Sequence, residues 1–344
     1  MKWLIDGRLL SDKNNGIHRY TLELIHAYQQ AFGINNVFVL VSPNLTAKPN
    51  NAIVCRYYPF NVWHVFLFYF YIKKLPFTHI HIPFYSNTLF KTNKKIVTTV
   101  HDLMYAIVPN YFSKSILINQ LAKWYFNIIV HAALRNSKLI ISVSKTTAAD
   151  LKNWGFNAVV FPEGINNLSN QKKPVESLLN THFFLYVGNQ RPQKNLPWMI
   201  DVFLKSNTQK KLVICGNGVG GTLVKNPKII YQGYVDDAEL AWLYQQAAAF
   251  VYPSFYEGFG LPVLEALNNG CKVICSNGGA LAEFNNGAVL QFNLGDENKL
   301  KYYFEHIDEM AFNKEKAAQL LQQYNWQSSM KNLIDFVKQN LRND

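Results

Sequence analysis

Charge and cysteine are both scarce in this chain. Of its 344 residues only 16% are Asp, Glu, Lys or Arg, and four are Cys: Cys55, Cys215, Cys271 and Cys275. Four thiols in a chain of this length do not make a disulfide framework. Cys271 and Cys275 have the spacing of half a metal site. No second Cys/His pair accompanies them, and both lie in the apolar run CKVIC, so buried thiols are expected. Long apolar runs are missing as well. The longest, residues 62–72, is interrupted by His64 and is about half of the roughly 18 residues a spanning helix needs. No secretory leader is visible, because the opening MKWLI is cut short by Asp6 and Arg8; a cytoplasmic location is expected. The SDKNNG loop over 11–16 holds no GxGxxG, and short-period repeats and low-complexity tracts do not occur.

What is abundant is apolar and aromatic. Hydrophobic residues make up 49%, with 7 Trp, 19 Tyr and 24 Phe, which excludes an intrinsically disordered chain. The length suits two domains. An alternating α/β pattern occurs twice. In the first half the strands read KWLIDGRLL, NVFVL, AIVCRYY, HIHIPF, KIVTTV and KLIISVS, with a helix over 17–30 in which Ile17, Tyr20, Leu24 and Tyr28 recur at helical spacing. In the second half they read FFLYV, KLVICG, KIIYQGYV, AAFVYPS, KVICS and AVLQF. A helix from Ala238 has a capping-box-like start in Asp236 and Glu239. Near-continuous apolar strands separated by helices predict parallel sheets covered on both faces. The polar stretch 166–180 reads as a linker. The expectation is an α/β protein of two Rossmann-like, doubly wound domains facing across a cleft, the first over 1–167 and the second over 168–326.

Ligands of open α/β sheets sit beyond the carboxyl ends of the strands, so the strand-to-helix loops are the places to look. One of them, SDKNNG ending in Gly16, puts a glycine at a helix N-terminus, where an anion can approach backbone N–H groups; a simple turn glycine is the alternative. A second, GNQRPQKNLP, begins at Gly188 and carries Arg191 and Lys194 beside a helix start that Asn195 is placed to cap. A forked guanidinium and a point charge three residues apart suit a diphosphate, although a solvated surface loop reads the same way. The third is FYEGFGLPVLE. Glu257 stays among Gly258, Phe259 and Gly260, while Leu261 and Pro262 open a helix that holds Glu265 about one turn in. Carboxylates accept hydrogen bonds from neutral hydroxyls, so two in one crevice can grip two polyol rings. Glu257 and Glu265, with seven residues between them and framed by GFG and LP, are the most specific signal in the chain. Finally, His101 and Asp102 end the strand KIVTTV; His101 is a candidate for the site, and His81 reads more as a structural group.

These residues resemble the retaining glycosyltransferases of family 4, which have the GT-B fold. The resemblance runs through IDGRLL…GIHRYTLELI, TVHDLMYAIVPNYFS, LIISVSKTTAADL, FFLYVGNQRPQKNL, LVICGNG, YEGFGLPVLEAL and the closing YNWQSSMKNLIDF. It implies that Arg191 and Lys194 neutralise the diphosphate of a nucleotide-sugar donor and stabilise it as it leaves. It implies that Glu257 contacts hydroxyls of the transferred sugar and Glu265 the ribose, within a donor site that includes Gly188, Gly258, Phe259, Gly260 and Leu261. Gly16 would give the diphosphate close backbone approach, and His101 would line the sugar site. In FPEGI the family often has Asn where this chain has Glu163, so no role is assigned there. A C-terminal helix over about 327–344 is expected to cross back onto the first domain. No Asp-x-Asp occurs, so no metal and no cofactor are expected; fixed cations can serve where negative charge develops. Retention through a double displacement needs a carboxylate nucleophile on the far face of the sugar. None is clearly nominated, and attack on the same face fits better.

The charge is unevenly divided. Residues 1–167 hold 17 Lys/Arg against 6 Asp/Glu, a net of +11, whereas 168–344 hold 17 against 16. The excess surrounds the aromatic stretch 63–71, which is followed by Lys73 and Lys74, and continues through Lys91, Lys94, Lys95, Lys114 and Lys123. Aromatic faces bordered by lysines suit peripheral binding to anionic lipid at the inner face of the cell membrane; a buried core helix over 61–72 is the alternative. A saccharide acceptor carried on lipid follows, as in O-antigen, capsule or exopolysaccharide synthesis, with a donor of the GDP-mannose or UDP-hexose type. A membrane glycolipid or soluble acceptor and a sugar-nucleotide epimerase of similar fold are the competing readings. Nucleic acid is not an expected partner, because paired glutamates in the cleft oppose a polyanion.

Overall fold

The computed structural model describes residues 1–11, 16–59, 64–85, 87–165, 168, 171–216 and 224–341. Two compact units emerge: Met1–Gly164 with Trp326–Asp344, and Ile165–Asn325.

The first unit runs β1 (Trp3–Gly7), α1 (Gly16–Phe32), β2 (Val37–Val41), β3 (Ala52–Val54), α2 (His64–Lys74), β4 (His79–Ile82), β5 (Lys95–Val100), α3 (Met104–Ile107), α4 (Ile116–Arg135), β6 (Leu139–Ser142), α5 (Lys145–Asn153) and β7 (Val159–Val160). Among the described residues its seven strands are ordered β3-β2-β1-β4-β5-β6-β7, all parallel. Ile5 of β1 faces Val39 on one side and His81 on the other. Helices cover both faces, which is why these strands are apolar almost without alternation. On α1, Tyr20, Leu24 and Tyr28 form the buried stripe, and Trp3 packs edge-on to Tyr28 with ring centroids 4.8 Å apart. On α2, Phe68 and Ile72 join the core of Leu4, Leu40 and Ile80, while Phe66, Leu67 and Phe70 are exposed. The aromatic stretch is therefore core on one side and surface on the other; residues 60–63 lie outside the described residues. Arg8 is buried under α2. Its Nε lies 2.8 Å from Asp6 Oδ1 and its guanidinium stacks 3.7 Å from the Phe68 ring centre.

The second unit runs β8 (Phe183–Val187), α6 (Leu196–Lys205), β9 (Lys211–Cys215), β10 (Ile229–Gly233), α7 (Asp237–Gln246), β11 (Ala249–Tyr252), α8 (Leu261–Asn268), β12 (Val273–Ser276), β13 (Leu290–Phe292), α9 (Glu297–His306) and α10 (Lys314–Leu321). Among the described residues its six parallel strands are ordered β10-β9-β8-β11-β12-β13. The capping box of α7 is present: Glu239 N donates to Asp236 Oδ1 at 2.8 Å, and Asp236 N to Glu239 Oε2 at 3.0 Å. All four cysteines are free and buried.

After the second unit the chain returns to the first as α11 (Trp326–Leu341). This helix packs on α1: Lys338 sits 5.2 Å over the Phe32 ring and Trp326 is 6.0 Å from Tyr20. Where the chain leaves the first unit, Gly164 touches Trp326 so closely that a Cβ would lie 2.3 Å from the Trp326 nitrogen. Among the described residues no helix is long and apolar enough to cross a membrane.

Candidate active site

Where the strand order of an open sheet reverses, the loops leaving two neighbouring strands diverge and open a crevice. In the second unit that point lies between β8 and β11. The loop 188–195 leaves β8 and the loop 253–260 leaves β11, so the two most specific stretches of sequence come from the two strands of the switch point.

The first loop closes into a 3₁₀ turn, Pro192–Lys194, and Asn195 takes a left-handed conformation (φ 53°) between that turn and α6. Asn195 makes no side-chain cap bond to α6, contrary to the sequence expectation. Its use here is backbone freedom, since Asn tolerates the left-handed region better than most residues. Gly188 N–H donates to Cys215 O at 3.0 Å, and a Cβ on the facing Gly216 would come within 1.9 Å of Gly188 O. The turn leaves Arg191 exposed and brings Lys194 inward.

Lys194 Nζ is 2.7 Å from Glu257 Oε1, and it also donates to the Tyr252 hydroxyl. The two side chains of the ion pair are only 12% and 11% exposed, which limits solvent screening. Burial holds the Tyr252 phenol far above its ordinary pKa, and the charge of Glu257 adds to this. Tyr252 thus stays a neutral hydroxyl that can accept from the ammonium. Glu265 is buried in α8, one turn in, and its charge also acts on Tyr252.

The loop that holds Glu257 is clamped from both sides. Phe255 N–H donates to Gln193 O at 2.7 Å, tying it to the lysine turn. Ala280 N–H donates to Glu257 O at 2.9 Å, and Gly278 packs so tightly that a Cβ would lie 2.3 Å from Ser254 O. Gly258, Phe259 and Gly260 are buried, and Leu261 begins α8. Gly260 has φ 108° and faces Leu281, leaving no room for a side chain; Phe259 packs on Tyr324 with centroids 5.4 Å apart. Tyr252 and the pair Gly278–Gly279 adjoin the candidate site and were missed by sequence reasoning. The strand end AAFVYPS and the dipeptide after CKVICSN were their only signals.

On the first unit, Gly16 opens α1; residues 12–15 of its loop lie outside the described residues. His101 follows β5. Its Nδ1 is 2.9 Å from Glu163 Oε1 and its Nε2 is 2.9 Å from Pro83 O. A backbone carbonyl and a carboxylate are both acceptors, so the geometry favours the imidazolium, in which both ring nitrogens donate. Burial works against that charge, but the hydrogen bond and charge of Glu163, with Asp102 and the Pro83 carbonyl, outweigh it and raise the pKa. A ring committed in this way has no lone pair with which to take a proton. Glu163, given no role from sequence, is therefore the partner that sets the state of His101. His81 is different: Tyr28 OH at 2.8 Å and Thr99 Oγ1 at 2.9 Å flank it, and burial, with the charge of His101, pushes its pKa down to about 3.

Two Rossmann-like units with parallel sheets, and a cation–carboxylate cluster at the switch point of the second, define the GT-B class of glycosyltransferases. The profile described as Glycosyltransferase Family 4 matches residues 14–167, and that of Glycosyl transferases group 1 matches 169–325. The chain belongs to this family of glycosyltransferases. It is 31% identical over 239 residues to the O-antigen chain mannosyltransferase B of Escherichia coli, a match spanning 62% of this chain and 60% of that relative's length. With the O-antigen chain mannosyltransferase RfbU of Salmonella typhimurium it shares 24% identity, over 88% of this chain and 89% of the relative. The sucrose-phosphate synthase structure from Thermosynechococcus elongatus superposes with a TM-score of 0.76 at 20% identity, over the full length of both chains.

Proposed function

We propose that the chain is a retaining, metal-independent mannosyltransferase. It takes its sugar from a nucleoside-diphosphate mannose and passes it to a lipid-linked saccharide acceptor in cell-surface polysaccharide synthesis, at the cytoplasmic face of the membrane. The observation that carries the reading is the buried Lys194–Glu257 pair, held between two clamped loops at the switch point of the second sheet. Two relatives that are O-antigen mannosyltransferases support the sugar and the setting.

In this reading Arg191 and Lys194 meet the diphosphate. Two of the three N–H donors of Lys194 serve Glu257 and Tyr252, and the third remains for a phosphate oxygen. Glu257 gives up part of its hold on Lys194 to sugar hydroxyls as the donor arrives, and Glu265 accepts from the ribose. The fixed positive charge stabilises the phosphate as it departs, and the departing oxygen takes the acceptor's proton on the same face of the sugar. At the start of α1, Gly16 offers its backbone N–H to an anion. His101 contributes a fixed positive charge, not a base.

The test is a panel of GDP-mannose, UDP-glucose and UDP-galactose, scored for thermal stabilisation and hydrolysis, with the anomeric configuration of the product read by NMR. GDP-mannose should be preferred, the configuration kept, and the rate unchanged by EDTA. Preference for a UDP-hexose, an inverted product or an EDTA-sensitive rate would each overturn the corresponding part. A glycosyl adduct trapped on Glu or Asp would exclude same-face attack.

A further inference from the structure

Helix α4 turns Asn119, Val130, Ala133 and Leu134 into the first unit. Its other side is also apolar. Leu117, Leu121, Trp124 and Ile128 fall at i, i+4, i+7 and i+11, one continuous stripe, and they are 73%, 65%, 64% and 45% exposed. Ile116 and Ile118 beside it are exposed too. An exposed helix face is normally polar, yet α4 has only two charged residues. One of them, Lys123, is turned inward: its Nζ donates to the carbonyls of Ala106 (3.2 Å) and Val108 (3.0 Å), which closes the end of α3. The other, Arg135, is the last residue of the helix.

The stripe does not stand alone. The crossovers β3-α2-β4 and β5-α4-β6 advance in the same direction across the sheet, and right-handed crossovers then place α2 and α4 on one face. The β4–β5 loop joins them: the Phe90 ring lies 5.3 Å from Tyr69, and Asn136 Nδ2 donates to Thr88 O at 2.8 Å. Phe66, Leu67, Phe70 and Phe90 are exposed on this face. Lys73, Lys74, Lys91 and Lys114 are exposed as well, on the same helices and loops. From residue 24 to residue 149 there are twelve Lys/Arg and one carboxylate, Asp102, which caps α3 through Met104 N–H at 2.8 Å.

The geometry points to this face as the surface by which the chain docks on an anionic lipid bilayer, with the α4 stripe as the inserting edge. The inference rests on the proposed lipid-linked acceptor and deepens it by naming the contact. A bilayer fits because apolar side chains enter the acyl boundary while lysines remain among anionic headgroups. A second copy of the chain fits poorly. An isologous pair sets the same patch against itself, lysines facing lysines with no carboxylate to pair them.

The experiment uses the full chain and flotation with vesicles of phosphatidylcholine alone and with added phosphatidylglycerol. Wild type should float with the anionic vesicles, less so as salt rises. The double variant L121E/W124E should lose about tenfold or more in partitioning, with an unchanged thermal melt and unchanged donor hydrolysis. The vesicle-induced shift in tryptophan emission should be lost in W124F, which still binds. Undiminished binding of L121E/W124E would overturn the assignment of α4 and leave the lipid-linked acceptor standing. Failure of wild type to bind any vesicle, with donor hydrolysis intact, would overturn both. A wild-type dimer that the double variant converts to monomer would assign the face to a second copy instead.

Discussion

Replacing Glu163 by Gln keeps the shape beside His101 and removes the charge. In the wild type the imidazolium is held between Glu163 Oε1 and Pro83 O, each at 2.9 Å, with the His101 side chain 13% exposed and that of Glu163 5%. A hydrogen bond to a charged group at such a site contributes about 1.5–3 kcal/mol and a neutral one about 1 kcal/mol. The exchange should therefore cost about 1–2 kcal/mol wherever His101 is charged in the wild type. The pH dependence follows from the raised pKa of the folded state. A proton bound more tightly in the folded chain stabilises it fully below the unfolded value of about 6.5, and the increment is lost as pH rises through the higher folded value. Wild type should thus lose stability as the pH climbs from acidic through neutral and beyond, and Glu163→Gln should remove that slope. In the variant, Nε2 keeps its bond to Pro83 O, and Nδ1 loses its proton and accepts from the new amide. Urea midpoints over a pH series measure the slope, and the imidazole NMR signal of His101 measures the titration. Equal slopes in the two proteins, or a wild-type ring that titrates at or below the ordinary value, would refute the argument.

Breaking the Lys194–Glu257 pair from either side should cost about 3 kcal/mol, because the charge left behind is largely buried. The double replacement K194A/E257Q should cost clearly less than the two singles together in urea unfolding, and a coupling near zero would show the pair to be incidental. Gly164→Ala drives a methyl to 2.3 Å from the Trp326 nitrogen and must push α11 off its seat. A loss of about 2–3 kcal/mol is expected, and an unchanged thermal midpoint would contradict the packing described.

The sheets were legible because their strands are near-continuous apolar runs cut by polar loops, a pattern that fully covered parallel strands share and little else does. β7, two residues long, has no period to read. The Glu257 loop was legible because GFG and LP dictate its backbone, and the structure shows why: Gly260 has no space for a side chain. The Glu163–His101 pair was not, since the partners are separated by 62 residues and meet only because β7 lies two places from β5 in the sheet. Asn195 was misread as a cap because Asn serves helix starts and left-handed turns equally well. On α4, apolar residues occupy both sides of the helix, so periodicity alone does not say which side meets the sheet.

The return of α11 to the first unit orders the making of the protein. During synthesis residues 1–164 emerge first, but α1 stays uncovered until 326–341 has been made. The whole of the second unit, continuous in sequence, is translated in between, which takes on the order of 10–30 s at ordinary elongation rates. For that interval the face formed by Phe32, Tyr20 and Phe161 lacks the helix that seals it, and it is there that a chaperone has most to protect. The domain begun first is completed last.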